Sequence, residues 1–148
     1  MKLGVEVFLE DGYKPSIGNR IGLDTNMTGV NQKLTPTIEL FVDHPGINLT
    51  ALYGPEHGIR GDAKEGEGVQ SSIDPYTNLP VYSLYGDSRK PTKEMLESVD
   101  VIVFDLQDIG SRYFTYIYTM AYVMEACGEQ GKQFVVLDRP NPISGDRI

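Results

Sequence analysis

The sequence is poor in the residues that build disulfides and zinc sites. It has one cysteine, Cys127, and two histidines, His44 and His57. A single thiol cannot form an internal disulfide, and so few cysteines and histidines disfavour a typical zinc site. We therefore expect no metal, and we expect Cys127 to be a small buried residue.

Positive charge and long apolar runs are also scarce. Lys and Arg number 13 against 21 Asp and Glu, which gives a formal net charge of −8. This balance disfavours nucleic-acid partners and a polybasic membrane anchor. The apolar runs are too short to span a bilayer. The first residues, MKLGVEVFLEDGYK, carry two Glu and one Asp where a signal peptide has an apolar run, so the chain as written is expected to be cytoplasmic.

Three common signature motifs are missing. No GxGxxG follows the first predicted strand, which disfavours a dinucleotide-binding fingerprint. Neither the GxxxxGK[ST] phosphate loop nor the GxSxG nucleophile elbow occurs in the sequence. We therefore expect no nucleotide cofactor and no standard α/β-hydrolase site.

The sequence does contain an alternation of strand and helix patterns. Its 148 residues suit one domain. Short apolar runs predict strands at 20–25, 48–54, 100–106 and 133–139, with a weaker one at 80–86. Helical patterns lie at 35–44, 90–99 and 113–131, and the last is apolar on most sides, so we expect it to be buried on most sides.

This alternation predicts an α/β fold of the Rossmann-like, doubly wound type. Its mainly parallel sheet has helices on both faces, because the strands show no in–out alternation. The polar, Gly-rich stretch 61–79 is longer than a connection needs and predicts a flap. In such sheets ligands bind beyond the carboxyl ends of the strands. Unusual loops follow the predicted strands, at 26–31, 54–62, 86–91, 107–114 and 139–145.

These loops are rich in carboxylates, tyrosine, arginine and asparagine. Such a composition suits a polyhydroxylated ligand, with carboxylates for acid–base chemistry and aromatic rings to stack on a sugar. Structural roles are the alternative. Glu56 and His57 could be turn residues that pair with Arg60, and Asp138 could simply hold Arg139. Asp105 and Asp108 could be helix N-caps, and Arg112 could form a structural ion pair with either of them.

Five motifs in a fixed order identify a family that the chain resembles. They are TNMTGV, LYGPEHGIRGDAKEGE, LPVYSLYG, DVIVFDLQDIGSRYFTYIYTM and FVVLDRPNPISG. From about residue 20 onward the sequence resembles the NamZ-type (YbbC-like) exo-β-N-acetylmuramidases, long known as a domain of unknown function. The resemblance implies a glycoside hydrolase that removes N-acetylmuramic acid from the non-reducing end of peptidoglycan fragments. It also implies that residues 1–148 form the Rossmann-like N-terminal subdomain, and that the family's C-terminal α/β subdomain is absent from this chain.

The resemblance also implies roles for individual residues. Glu56, His57 and Tyr113 are the catalytic candidates, with Glu56 as the carboxylic acid. The candidate substrate-binding residues are Asn26, Arg60, Asp108, Arg112 and Asn141. The expected partners are a muropeptide or peptidoglycan-derived sugar, a docked C-terminal subdomain and, for the chain alone, a second copy of itself. The resemblance leaves export of family members open.

Two other functions remain open at this stage. One is a non-catalytic module that binds muramic acid or a related anionic sugar. The other is a Rossmann-like module that binds a nucleotide or phosphate, which the missing glycine fingerprint disfavours.

Overall fold

The strands of the structure coincide with the apolar runs of the sequence. The computed structural model describes residues 2–10, 17–55, 58–61, 72–86 and 88–143. Its strands are β1 (Arg20–Thr25), β2 (Asn48–Gly54), β3 (Ser72–Ile73), β4 (Pro80–Ser83), β5 (Val101–Asp105) and β6 (Gln133–Val136). All five predicted strands are confirmed, three of them shorter than predicted. Strand β3, at the end of the predicted flap, was not expected.

The order of the strands is that of a Rossmann fold. In the described residues they form a six-stranded sheet, β3–β4–β2–β1–β5–β6, in which β3 is antiparallel to β4 and the other pairs are parallel. Counted along the chain, the parallel strands have the order 3-2-1-4-5. All five residues of β5 are buried, as expected for a central strand covered on both faces. The predicted parallel, doubly wound sheet is confirmed.

Helices cover both faces of this sheet. Helices α1 (Gly4–Glu10) and α2 (Thr37–Asp43) lie on one face, where Phe8 and Phe41 stack with ring centroids 5.4 Å apart. Helix α3 (Tyr116–Glu129) lies on the other face and buries Val123, Ala126 and Cys127 against the sheet. Helix α1 was not predicted from the sequence. No helix in the described part of the chain has the length and apolarity needed to cross a membrane.

Two helix predictions need correction. The stretch 90–99 forms only one 3₁₀ turn, Glu94–Leu96, because Leu96 and Val99 are both fully buried and the chain enters β5 directly after them. Helix α3 buries one face instead of most of its surface. Ile117 and Met124 are 51% and 53% exposed, because nothing in the described residues packs on the outer side of α3.

Candidate active site at the carboxyl edge of the sheet

The loops that follow the parallel strands all lie at one edge of the sheet. Strands β4, β2, β1, β5 and β6 all run in the same direction, so their carboxyl ends meet there. The strand order reverses between β1 and β5, which is where open α/β sheets bind their ligands. The prediction that the loops after these strands emerge on one edge is confirmed for their described residues.

A buried ion pair holds this edge together. The Arg139 guanidinium donates to the Asp105 carboxylate through Nε (2.6 Å) and Nη2 (2.9 Å), and these side chains are 6% and 0% exposed. Asp105 also accepts a hydrogen bond from the Thr37 hydroxyl at 2.5 Å, and Arg139 donates to the Val30 carbonyl at 3.0 Å. The pair therefore joins the segments that follow β1, β5 and β6. Asp105 is neither a helix cap nor free for catalysis, and it replaces Asp138 as the partner of Arg139.

The loops after β5 and β6 bring Asp108 and Asn141 together. Gln107 donates through Nε2 to the carbonyls of Asp108 (2.7 Å) and Pro140 (2.9 Å). Gly110 has φ +71°, and a Cβ on it would lie 2.5 Å from Asn141 Oδ1, so only glycine permits this approach. Asp108 and Asn141 both line a cavity of about 190 Å³ beside α3.

One oxygen of the Asp108 carboxylate has no hydrogen-bond partner among the described residues. Its Oδ2 accepts the Gly110 amide at 3.0 Å, whereas its Oδ1 is buried and has no hydrogen-bond partner among the described residues. The side chain caps its own loop, and α3 begins eight residues later. A buried carboxylate oxygen without a partner is unusual and marks this turn as a candidate functional position.

Asn26 organises the loop after β1. Its Oδ1 accepts the amide of Thr28 at 2.9 Å and the hydroxyl of Thr28 at 2.6 Å, while its Nδ2 donates to the Tyr116 hydroxyl at 2.8 Å. The Gln107 amide in turn donates to the Thr28 hydroxyl at 3.2 Å. Asn26 is 6% exposed, so in this structure it ties three segments of the edge together.

Arg112 and Tyr113 lie on the turn before α3 and face solvent. Tyr113 is 96% exposed, and Arg112 is exposed with no hydrogen bond or ion pair to any described residue. The expected ion pair between Arg112 and Asp105 or Asp108 is therefore absent from this part of the structure. Both side chains remain accessible to a ligand or to a covering protein surface.

Glu56 and His57, the principal catalytic candidates, lie outside the described residues. Their flanks are well defined. The Gly58 amide donates to the Pro55 carbonyl at 3.0 Å, which brings the two flanks together at the end of β2. A Cβ on Gly61, where φ is +72°, would lie 2.5 Å from the Met27 sulfur. The loop after β2 therefore packs against the loop after β1, beside the strand-order reversal.

Arg60 has a structural role in this loop. It donates to Asp74 through Nε (2.9 Å) and Nη2 (3.0 Å), and its guanidinium lies 4.5 Å from the centroid of the Tyr76 ring. Burial favours a higher pKa for Asp74, but the hydrogen bonds from Arg60 and Thr77 outweigh it and hold this pKa below its ordinary value. Arg60 thus joins the loop after β2 to the segment that leads into β4, and Asp74 is its ion-pair partner among the described residues.

A larger cavity, which sequence reasoning missed, lies between the loop after β4 and the first turns of α3. We call it the Arg89 pocket. Its volume is about 440 Å³, and Leu84 contributes to its wall. Its polar and aromatic lining residues are Tyr85, Arg89, Thr115, Tyr118, Thr119 and Tyr122. In the sequence the tyrosines belong to a helical pattern that indicates packing. Only the unusual loop at 86–91 pointed to this part of the structure.

One buried carboxyl near this edge has no hydrogen-bond partner in the part of the chain that the structure describes. Asp24, in β1, is fully buried between Tyr53 and Phe104, its neighbours in register, and neither oxygen has a hydrogen-bond partner among the described residues. Burial raises the pKa of Asp24 well above its ordinary value of 3.8. Burial, and to a smaller extent the negative charge of the nearby Asp24, raise the pKa of Cys127 to about 11. This buried thiol is therefore unreactive at neutral pH.

The comparison with known proteins gives the family directly. A family model described as exo-beta-N-acetylmuramidase NamZ, N-terminal, matches residues 21–148. The chain belongs to this family. Over all 148 residues it is 54% identical to the peptidoglycan beta-N-acetylmuramidase NamZ of Bacillus subtilis (strain 168), of which it covers 36%.

Two solved structures share the fold described above. A crystal structure of a DUF1343 family protein from Bacteroides fragilis matches 99% of this chain with a TM-score of 0.92 and 54% identity. A second DUF1343 family protein from the same organism matches 95% of the chain with a TM-score of 0.77 and 31% identity. The chain spans 36% and 35% of these two proteins, so it corresponds to about a third of its relatives' length.

Proposed function

We propose that this chain supplies the catalytic face of a glycoside hydrolase that removes N-acetylmuramic acid from the non-reducing end of peptidoglycan fragments. The observation that carries the proposal is the 54% identity to the Bacillus subtilis NamZ over the whole of this chain. The collection of polar loops at the carboxyl edge of the sheet supports it, because that edge is where a Rossmann-like sheet binds its ligand.

In this proposal Glu56 donates the proton to the leaving-group oxygen. Strand β2 ends at the sheet edge, and Pro55 and Gly58 bracket Glu56 and His57. A general acid must keep its proton near neutral pH, and a partly buried carboxyl does so because burial disfavours the ionised form. His57 adjusts the proton affinity of Glu56 or contacts the sugar.

The remaining site candidates bind and orient the other parts of the disaccharide substrate. Asp108 and Asn141 line one cavity beside α3, where their side chains contact the substrate. Arg112 and Tyr113 are accessible and close over the sugar from the turn before α3. Asn26 and Arg60 act indirectly, since their described hydrogen bonds hold the loops after β1 and β2 in place.

We also propose that the rest of a full-length protein docks on this face. The outer side of α3 exposes Ile117 and Met124, and Ile143 beyond β6 is 66% exposed. Ile117 and Met124 are seven residues apart and so lie on one side of α3, and exposed apolar surface of this kind marks a place that another protein segment covers. The relatives have roughly two further thirds of their length available to do so.

The test of the activity is Glu56→Gln in a chain extended to the length of the relatives. Loss of a general acid lowers the rate on the natural disaccharide by about 10²–10⁴-fold. The loss should be smaller for a chromogenic substrate whose leaving group needs little protonation, and His57→Ala should reduce the rate less. Glu97→Gln, which removes an exposed carboxylate just before β5 at the opposite edge, is the matched control.

The outcome separates catalysis from binding. Near-wild-type turnover by Glu56→Gln would make this carboxylate structural and would transfer the role of acid to Asp108, because Asp105 is held in the buried ion pair. Binding of N-acetylmuramic acid without any hydrolysis by the wild-type protein would favour the non-catalytic sugar-binding module.

A further inference from the structure

The Arg89 pocket has the size and position of a ligand site. Its volume of about 440 Å³ is within the range of roughly 300–1,000 Å³ that small-molecule sites occupy. The Leu84 amide, in its wall, donates to the Gly54 carbonyl at 2.8 Å. This hydrogen bond places the wall of the pocket beside the end of β2, one residue from Pro55. The pocket is therefore next to the loop that carries Glu56 and His57.

The rim of the pocket carries a positive charge that no described residue compensates. Arg89 is exposed and has no hydrogen bond or ion pair to a described residue. The adjacent Lys90 differs, because Glu125 (3.1 Å) and Glu129 (2.8 Å) both pair with its ammonium group. In a chain of net charge −8, an arginine left unpaired beside a cavity is suited to an anionic ligand.

The walls of the pocket suit a sugar ring. Thr115, Tyr118, Thr119 and Tyr122 recur at helical spacing, so they lie along one side of the start of α3. Tyr118 and Tyr122 are 57% and 38% exposed, which leaves ring surface and hydroxyl groups accessible. Aromatic rings offer apolar surface to a pyranose, and their hydroxyls bind its oxygens.

We propose that the Arg89 pocket binds the carboxylate of an N-acetylmuramic acid unit and so sets the preference of the enzyme for this sugar over N-acetylglucosamine. N-acetylmuramic acid differs from N-acetylglucosamine by a lactyl ether, which carries one carboxylate. Arg89 pairs with that carboxylate through two parallel N–H groups, while Tyr118 and Tyr122 pack on the ring. This inference rests on the proposed function, and it adds a residue that separates the two sugars.

The test measures binding and hydrolysis separately in a chain extended to the length of the relatives. Calorimetry compares N-acetylmuramic acid with its neutral lactyl amide and with N-acetylglucosamine. The wild type should bind the acid at least about 10-fold more tightly than either neutral sugar, because hydrogen bonds between a guanidinium and a carboxylate are about twice as strong as those between neutral groups. Arg89→Gln should lower the affinity for the acid to that for the neutral sugars. Arg89→Lys should lose only part of the preference for the acid.

The matched control is Lys93→Gln. Lys93 is an exposed cation four residues further along and does not line the pocket, so this variant makes the same change in net charge. It should keep the wild-type preference for the acid. An equal loss in Lys93→Gln and Arg89→Gln would show a general effect of charge and would overturn the inference.

The binding and hydrolysis measurements test the inference and the proposed function independently. If the protein hydrolyses the muramic acid disaccharide but Arg89→Gln keeps the full preference for the acid, the inference fails and the proposed function stands. If the wild type binds the acid through Arg89 yet hydrolyses nothing, the inference stands and the proposed activity fails. Equal binding of acid and neutral sugars by the wild type would refute the role of Arg89.

Discussion

Replacing Asp24 by asparagine should change how the stability of this domain depends on pH. Asp24 is fully buried, and neither of its oxygens has a hydrogen-bond partner among the described residues. Burial raises its pKa well above 3.8, so the folded chain keeps the proton at pH values where the unfolded chain releases it. Asparagine has nearly the same shape and does not titrate.

The sign and size of the effect follow from proton linkage. Above the ordinary pKa of Asp24 the folded state binds more protons than the unfolded state, so this residue lowers the free energy of unfolding as the pH rises. The slope is about 1.4 kcal/mol per pH unit and ends where the folded carboxyl finally ionises. Asp24→Asn should therefore gain stability relative to the wild type by about this amount for each pH unit above roughly 4.

Urea unfolding at several pH values between about 4 and 8 measures this difference. Other titrating groups are common to both proteins and cancel in the comparison. Asp43→Asn is the control, because it makes the same change of side chain at an exposed position, the end of α2. A difference between Asp24→Asn and wild type that stays constant across this range would show that Asp24 is ionised in the folded chain and would refute the reasoning.

Four further outcomes follow from the described contacts. Arg139→Gln should lower the free energy of unfolding in urea by about 3–5 kcal/mol, because it leaves Asp105 buried and unpaired; a loss below about 1 kcal/mol would contradict this. Gly110→Ala should lower it by 1 kcal/mol or more, since φ is +71° and the new methyl meets Asn141, and an unchanged urea midpoint would argue against that strain. Asp100→Asn should lower the free energy of unfolding by about 1 kcal/mol or less at neutral pH, because the Arg20–Asp100 ion pair is exposed to solvent. The pKa of Asp100 is depressed, so its contribution to stability is lost as the carboxylate is protonated, and the difference in urea unfolding should fade in acid. A difference that persists in acid would contradict this. The chain alone should self-associate in sedimentation experiments more than an extended chain, and a clean monomer would count against a docking face.

Sequence patterns predicted the sheet well because the information for each strand is local. Runs such as 20–25 and 48–54 combine β-branched and aromatic residues within a few positions, and the structure places strands there with the same bounds. Helix predictions were less accurate. The pattern at 90–99 is helical, but the two buried anchors and the entry into β5 leave room for one turn only.

The candidate site was predicted in part. Parallel strands must deliver their loops to one edge, so the gathering of the loops after β1, β2, β5 and β6 follows from the strand pattern. The partners of individual charges did not follow from it. Asp138 adjoins Arg139 in sequence, yet the guanidinium reaches Asp105, 34 residues away, because β5 and β6 lie side by side.

The sequence by itself determined the fold class, the family and the edge at which the chemistry lies, because apolar periodicity and ordered motifs are properties of short segments. Tertiary structure alone decided which charges are paired and which remain free. Asp24 loses its contact with water only when α3 and the neighbouring strands close around it, and Arg89 joins a pocket only because α3 passes beside the loop after β4. Burial and distance depend on residues far apart in the chain, and no local pattern records them.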